Sequence, residues 1–233
     1  MTITDSVTLR DNAELAIVEL PLLESTGQFG LELQSNPKVV RMEAPMLRRV
    51  GDLEVENNAM LEHFSAPLLT TVDGEAPTGD ASIFMNPALD ELTIPALETV
   101  VGTLVIANNP RLGAFELAGV VELGSLSVRD NGALERVSLP GVTISSALSI
   151  LGNQRLQSVA MVDLVELRSD LRVIGNPALS ALDLPALTTM GSDDSVNVRQ
   201  NPALPMCVVD AIVAQLEGFE GHVSTSDNAA TCP

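Results

Sequence analysis

Thirty-one aspartates and glutamates, two histidines and two cysteines are the side chains of this 233-residue chain best equipped for chemistry. The acids suggest paired-carboxylate work. Glu32 and Glu54, like Glu19 and Glu43, sit 22 and 24 residues apart, and stacked on adjacent repeats each pair would resemble the acid and base of glycoside hydrolysis. Repetition alone, however, places like residues above one another. Sites acting on polysaccharides commonly add aromatic platforms, and this chain has five Phe and no Trp or Tyr. It carries neither a G-x-S-x-G elbow nor a histidine-based constellation. His63 and His222 are far apart and C-x-x-C is absent, so no metal or other cofactor is expected. Asp73, Glu75 and Asp80, in the segment DGEAPTGD, offer oxygens for weak Ca²⁺ binding. Their spacing does not match an EF-hand loop, and a solvated acidic loop is the plainer reading.

The elements that position these residues repeat. An asparagine recurs at Asn12, Asn36, Asn58, Asn86, Asn109, Asn131, Asn153, Asn176, Asn201 and Asn228, in steps of 24, 22, 28, 23, 22, 22, 23, 25 and 27 residues, the period of a solenoid. Around the first nine runs the frame L-x-V-x-x-N-x-x-L-x-x-V-x-L-P-x-L, as in LSVRDNGALERVSLPGV and LRVIGNPALSALDLPAL. Apolar residues five and three positions before each asparagine, such as Leu126 and Val128, make a short strand of period two. Four further apolar columns follow the asparagine, so each turn points about six side chains inward. A strand with two inward residues holds no hydrophobic face alone; stacked at roughly 4.8 Å on its neighbours it builds a continuous core.

The asparagine lies between inward columns. Its amide can satisfy backbone groups at a turn and it tolerates turn dihedrals, so a structural ladder of Asn12, Asn36, Asn58, Asn86, Asn109, Asn131, Asn153, Asn176 and Asn201 at one corner is expected; exposed turn asparagines without a ladder are the alternative. Pro follows five of these asparagines, and Pro21, Pro45, Pro67, Pro95, Pro140 and Pro185 mark a second corner, which excludes a long helix beside the strand. The expected fold is therefore an all-β repeat, a right-handed β-helix or solenoid with about ten rungs of 22–28 residues and a short C-terminal capping helix.

The L-x-V-x-x-N-x-x-L units across residues 1–204 resemble the receptor L-domain family, the leucine-rich-repeat-like β-helices of insulin and growth-factor receptor ectodomains and of bacterial and fungal surface proteins. The resemblance implies the right-handed coil. One array of nine or more rungs runs here without the receptors' cysteine-rich module, which removes any basis for carrying over hormone binding.

Two regions are expected, the array over 1–204 and a C-terminal cap over 205–233. In the cap, CVVDAIVAQL (207–216) lacks Pro and Gly and sets Val208, Ile212 and Gln215, or Val209, Ile212, Val213 and Leu216, at helical spacing after Pro205. A degenerate rung holding Val223 and Asn228 follows. Cys207 and Cys232 both fall here; a disulfide between them would close a loop of about 25 residues, contribute about 3 kcal/mol and imply an oxidising compartment. Two reduced cysteines in a cytosolic protein are the alternative. The pair also resembles the cysteine-closed caps of secreted bacterial repeat proteins. No secretory apolar segment precedes Val7 and no apolar run of about 18 residues occurs, so either a leader was trimmed or the protein is intracellular. The start almost inside the first rung favours a piece of a longer surface protein. The expected location is extracellular or at the cell surface.

Thirty-one acids against twelve bases make nucleic acid and anionic membrane surfaces poor partners, and direct membrane insertion is not expected. Outward positions four and two residues before each asparagine are mixed and show no threonine ladder of the ice-binding kind. Phe84, Leu151 and Ile174 suggest an apolar strip framed by Arg129, Arg172 and Arg199, a composition suited to protein recognition; scattered exposed apolar residues are the plain alternative. These readings converge on a non-catalytic recognition module that binds protein, with glycan less favoured for want of aromatics. A spacer or stalk segment is the second reading, and a β-helix polysaccharide enzyme the third.

Overall fold

The repeats fold into one parallel β-solenoid, seen in a computed structural model that describes residues 2, 5–74, 79–115, 117–230 and 232. On the first side the strands Ser6–Arg10, Gly30–Gln34, Leu53–Glu56, Ala81–Phe84, Thr99–Ala107, Glu122–Arg129, Ala147–Leu151, Leu171–Ile174, Ser195–Arg199 and His222–Ser224 stack in sequence order, and we number the turns of chain that carry them rungs 1 to 10. Among the described residues all pairings are parallel and follow the repeat, with one register shift between Val100 and Thr103. Leu31, Leu53, Ala81, Leu104, Leu126, Leu148, Leu171 and Val196 form one unbroken inward row. Parallel pairing follows from the coil, since each strand is reached only after a full turn of chain.

The second side is built from three-residue strands in two groups, Ile17–Glu19 through Glu91–Thr93 and Arg136–Ser138 through Ala181–Asp183. Two-residue strands make the third side, as in Ile144–Ser145, Glu166–Leu167 and Thr189–Met190. Between the sides, tight turns use the prolines that the sequence places there. The Val39 N–H donates to the Asn36 carbonyl at 3.2 Å across Pro37, and the Leu47 N–H to the Ala44 carbonyl at 3.2 Å across Pro45. Proline at the second turn position has the required φ and surrenders no useful N–H. Rungs approach closely at the remaining corner, where a Cβ on Gly124 would lie 2.3 Å from the Gly102 carbonyl oxygen, so a side chain cannot be accommodated without moving backbone.

The inward columns form one continuous core, with Leu33, Met42, Leu47, Phe64, Ile83, Leu104, Val128 and Leu156 fully buried. Burying a side chain of this size contributes about 2 kcal/mol, and stacking lets every interior rung gain it from both neighbours. Rung 1 has one neighbour only, and its Val7, Leu9, Leu15 and Leu20 remain partly buried.

At the other end helix α1 (Met206–Ala214) takes the place of the second-side strand after Asn201 and covers the core with Val209, Ile212 and, just beyond it, Leu216. Of the two helical stripes expected, the packing buries the second except for Val213, which like Val208 of the first is partly buried. The helix is shorter than the stretch free of Pro and Gly: it ends at Ala214 because the following chain returns to the array, with Gln215 Nε2 donating to the Leu184 carbonyl at 2.7 Å and the Glu217 N–H to the Thr188 carbonyl at 2.8 Å. A disulfide joins Cys207 at the start of α1 to Cys232, with Cα atoms 5.9 Å apart. The last strand pairs Val223 with Val196, yet Val223 stays 39% exposed, because no further rung covers it.

Candidate functional site

Two columns on the first side, two residues apart, have opposite fates. The inner one is the asparagine ladder. Each backbone N–H donates to the Oδ1 of the next asparagine, Asn12 to Asn36 at 3.0 Å, Asn58 to Asn86 at 3.1 Å, Asn109 to Asn131 at 3.1 Å, Asn153 to Asn176 at 3.0 Å and so on to Asn228. From Asn36 onward each Nδ2 donates back to the carbonyl three residues before the preceding asparagine, as from Asn131 to Ile106 at 2.8 Å and Asn153 to Val128 at 3.0 Å. Asn36, Asn58, Asn86, Asn109, Asn131, Asn153, Asn176 and Asn201 are fully buried and Asn12 is exposed. An amide is the smallest side chain offering both an acceptor and donors in this geometry, and these bonds satisfy backbone groups that burial would otherwise orphan.

The strained turn dihedral belongs to the residue before each asparagine rather than to the asparagine. Asp11, Ser35, Asn57, Met85, Asn108, Asp130, Gly152, Gly175, Gln200 and Asp227 all have φ between 55° and 71°. That left-handed residue turns the chain so that the next side chain points inward. Its signal was present in the Asp, Asn and Gly frequent at that position, the types that tolerate positive φ.

The outer column runs Arg10, Gln34, Glu56, Phe84, Ala107, Arg129, Leu151, Ile174 and Arg199 in direct strand register. Leu151 and Ile174 are neighbours, flanked by Arg129 and Arg199. Phe84 is set apart from them by Ala107 and Arg129, so the apolar strip expected from sequence is two patches. Arg129 bridges the gap: its guanidinium lies 5.7 Å from the centroid of the Phe84 ring, and Ala107 between them is fully buried. Such a contact contributes about 0.5–1 kcal/mol at a surface. A small residue at 107 makes it possible, a role that no single repeat reveals. Arg172 stands in the adjacent outward column and donates to Asp170 Oδ2 at 2.8 Å. Arg199 forms no ion pair among the described residues.

The acidic end of this face differs from its expected outward exposure. Glu32 is buried, 8% exposed, because Arg10 of rung 1 folds over it and pairs with its Oε1; Arg10 also reaches Glu54 Oε2 at 3.9 Å. The stacked Glu32 and Glu54 are thus an unequal pair. Burial, with Glu56 nearby, raises the Glu54 pKa above the usual carboxylate range, and Arg10 offsets only part of this. The stacked Glu19 and Glu43 on the second side are bridged by Arg41, at 3.2 Å to each.

In the acidic insertion, Glu75 lies outside the described residues. Asp73 pairs with Arg49 at 2.8 Å, and Asp80 Oδ1 accepts the Thr103 N–H at 2.6 Å. Both carboxylates are engaged in holding the loop to adjacent rungs. Among the described residues no group of three His, Cys, Asp or Glu is arranged to hold a metal ion, and no helix is long and apolar enough to cross a membrane. No known family, curated protein or solved structure matches this chain, so the architecture established from its own residues is a parallel β-solenoid closed at its C-terminal end by a helix and a disulfide.

Proposed function

We propose that this chain is a non-catalytic recognition module of a secreted or cell-surface protein, of the leucine-rich-repeat-like receptor L-domain type, and that it binds protein through the outward face of its first side. The observation that carries the reading is the Arg129 guanidinium stacked on Phe84 over buried Ala107, beside the Leu151 and Ile174 patch and the Arg172 and Arg199 cations. Apolar area mixed with arginine and an aromatic ring is the composition of protein interfaces. The disulfide supports an oxidising compartment. Sparse aromatics favour protein over glycan as the ligand. A rigid spacer is the second reading, favoured by the continuity of the asparagine ladder from Asn12 to Asn228.

The test is a cross-linking pull-down from cell-envelope and culture extracts, using the intact chain and a variant with Phe84, Leu151 and Ile174 changed to Ser. A partner captured by the chain and lost with the variant supports recognition by this face. Equal recovery, or none, moves the weight to the spacer reading.

A further inference from the structure

Charge on the outward face of the first side is segregated by rung. Rung 3 presents Glu54 and Glu56, beside the Glu32 of rung 2 that Arg10 covers, rungs 8 and 9 present Arg172 and Arg199, and the rungs between present Val105, Ser127 and the Phe84–Arg129 stack over buried Ala107. Charge at one end of a linear array, with its complement at the other, is self-complementary under a two-fold axis. We propose that the partner for this face is a second copy of the same chain, packed face to face about a two-fold axis parallel to the strands and between rungs 5 and 6. The proposal rests on the reading of the face as a protein-binding surface.

The rotation keeps the strand direction and reverses the rung order, so rung 3 meets rung 8 of the other copy and rung 4 meets its rung 7. Glu54 then faces Arg172, Phe84 faces Leu151, Glu56 faces Ile174, and Arg199 faces Gln34 beside Glu32. Aligned sheets cross at about 30°, which displaces the outer pairs by roughly one side-chain position and leaves Arg172 in reach of Glu54 or Glu56. Moving the axis by half a rung is unfavourable either way. Through rung 5 it sets Arg10 against Arg199; through rung 6 it sets Arg129 against its own copy. Asp52 meets Asp170 in the chosen register, but each carboxylate is turned toward its own backbone, Asp52 accepting the Gly79 N–H at 2.6 Å and Asp170 the Ser195 N–H at 2.9 Å. Eight rungs at roughly 4.8 Å by about 13 Å of strand give about 500 Å² per copy, at the lower limit of specific interfaces. The dimer is therefore weak, with dissociation in the micromolar range, and weakened further by salt.

Sedimentation equilibrium of the intact chain tests this, with Glu54→Arg and Arg172→Glu alone and mixed. Both side chains are about half exposed, 42% and 55%, and circular dichroism checks that each variant folds. Each variant alone opposes like charges twice per dimer and should dimerise at least about tenfold more weakly. Mixed, the two restore both pairs and should form a heterodimer with near wild-type affinity. A wild-type chain that stays monomeric to about 1 mM, or a dimer indifferent to both reversals, overturns the proposal; the latter result would point to stacking of solenoid ends. Capture of a different protein, lost with the Phe84, Leu151 and Ile174 variant, would leave the recognition reading standing while self-association failed.

Discussion

Arg129 and Asn131 are two residues apart on the same rung, yet the columns they belong to behave oppositely. Position 131 is asparagine in every rung from Asn12 to Asn228, while position 129 is Arg, Gln, Glu, Phe, Ala, Leu, Ile or Ser in its equivalents. From Asn36 to Asn201 the inner side chain has the same task on each turn, accepting one N–H and donating to one carbonyl of the preceding rung, with no water to substitute. The outer one is in solvent, where many residues serve. Within this chain repetition therefore reports what the fold requires, and departures from it are where recognition has room to be encoded.

The comparison breaks most directly at its centre. Asn131→Leu leaves the Asn109 N–H buried without a partner and removes one of the bonds the Ile106 carbonyl accepts, a cost of about 3 kcal/mol. Arg129→Ala gives up one surface cation–π contact, about 0.5–1 kcal/mol. At the exposed end of the ladder, Asn12→Leu should cost about 1 kcal/mol or less, since water replaces what it offers. Thermal melts showing equal losses at 129 and 131 would remove the distinction between the columns.

The next effect concerns the end of the array. Replacing Cys207 and Cys232 by Ser should cost about 3 kcal/mol if the loop-entropy estimate holds. Hydrogen exchange should localise the loss to α1 and the last strand, because the ladder bonds of rungs 2 to 8 do not depend on the cap. Uniform loss of protection across all rungs would instead mean that the cap and array unfold as one unit.

The smallest effects separate the two ends of the outer face by pH. Hydrogen bonds from the Ser195 hydroxyl and N–H, with help from Arg172, hold the Asp170 pKa below its usual range. Its contribution is present above the unfolded-state pKa and is lost as pH falls through the folded-state value. Asp170→Asn should thus lower Tm at neutral pH, and by progressively less as pH falls below about 4. Glu54 has the opposite sign: burial raises its pKa, so its protonated form favours folding and that gain disappears as pH rises through the folded-state value. Glu54→Gln should raise Tm modestly at neutral pH, with the gain vanishing towards about pH 4. Identical pH profiles for the two variants would contradict this account.

Much of the fold was legible because its causes are local and recur. Alternation at Leu126 and Val128, proline after Asn36 and Ala44, and the asparagine period are each readable within one repeat. The α1 boundary was less so, since Gln215 leaves the helix to meet Leu184, which lies 31 residues earlier. The left-handed residue before each asparagine was written in the Asp, Asn and Gly at that position, but Met85 and Gln200 occupy the same conformation against their preference, imposed by the stacked turn. On the outer face, the neighbours that matter come from different rungs. Arg10 burying Glu32, and Arg129 reaching across Ala107 to Phe84, are relations among side chains 22–45 residues apart that no one repeat contains.

By itself the sequence determined the period, the inward columns and the parallel stacking, because a repeated pattern of apolar and amide groups has one way to bury all of them at once. Tertiary structure decided which outward residues became neighbours and how much water each retained. It left Glu32 buried and Val223 exposed although both occupy repeat positions, because burial at any rung depends on what the adjoining rung, or its absence, places over it.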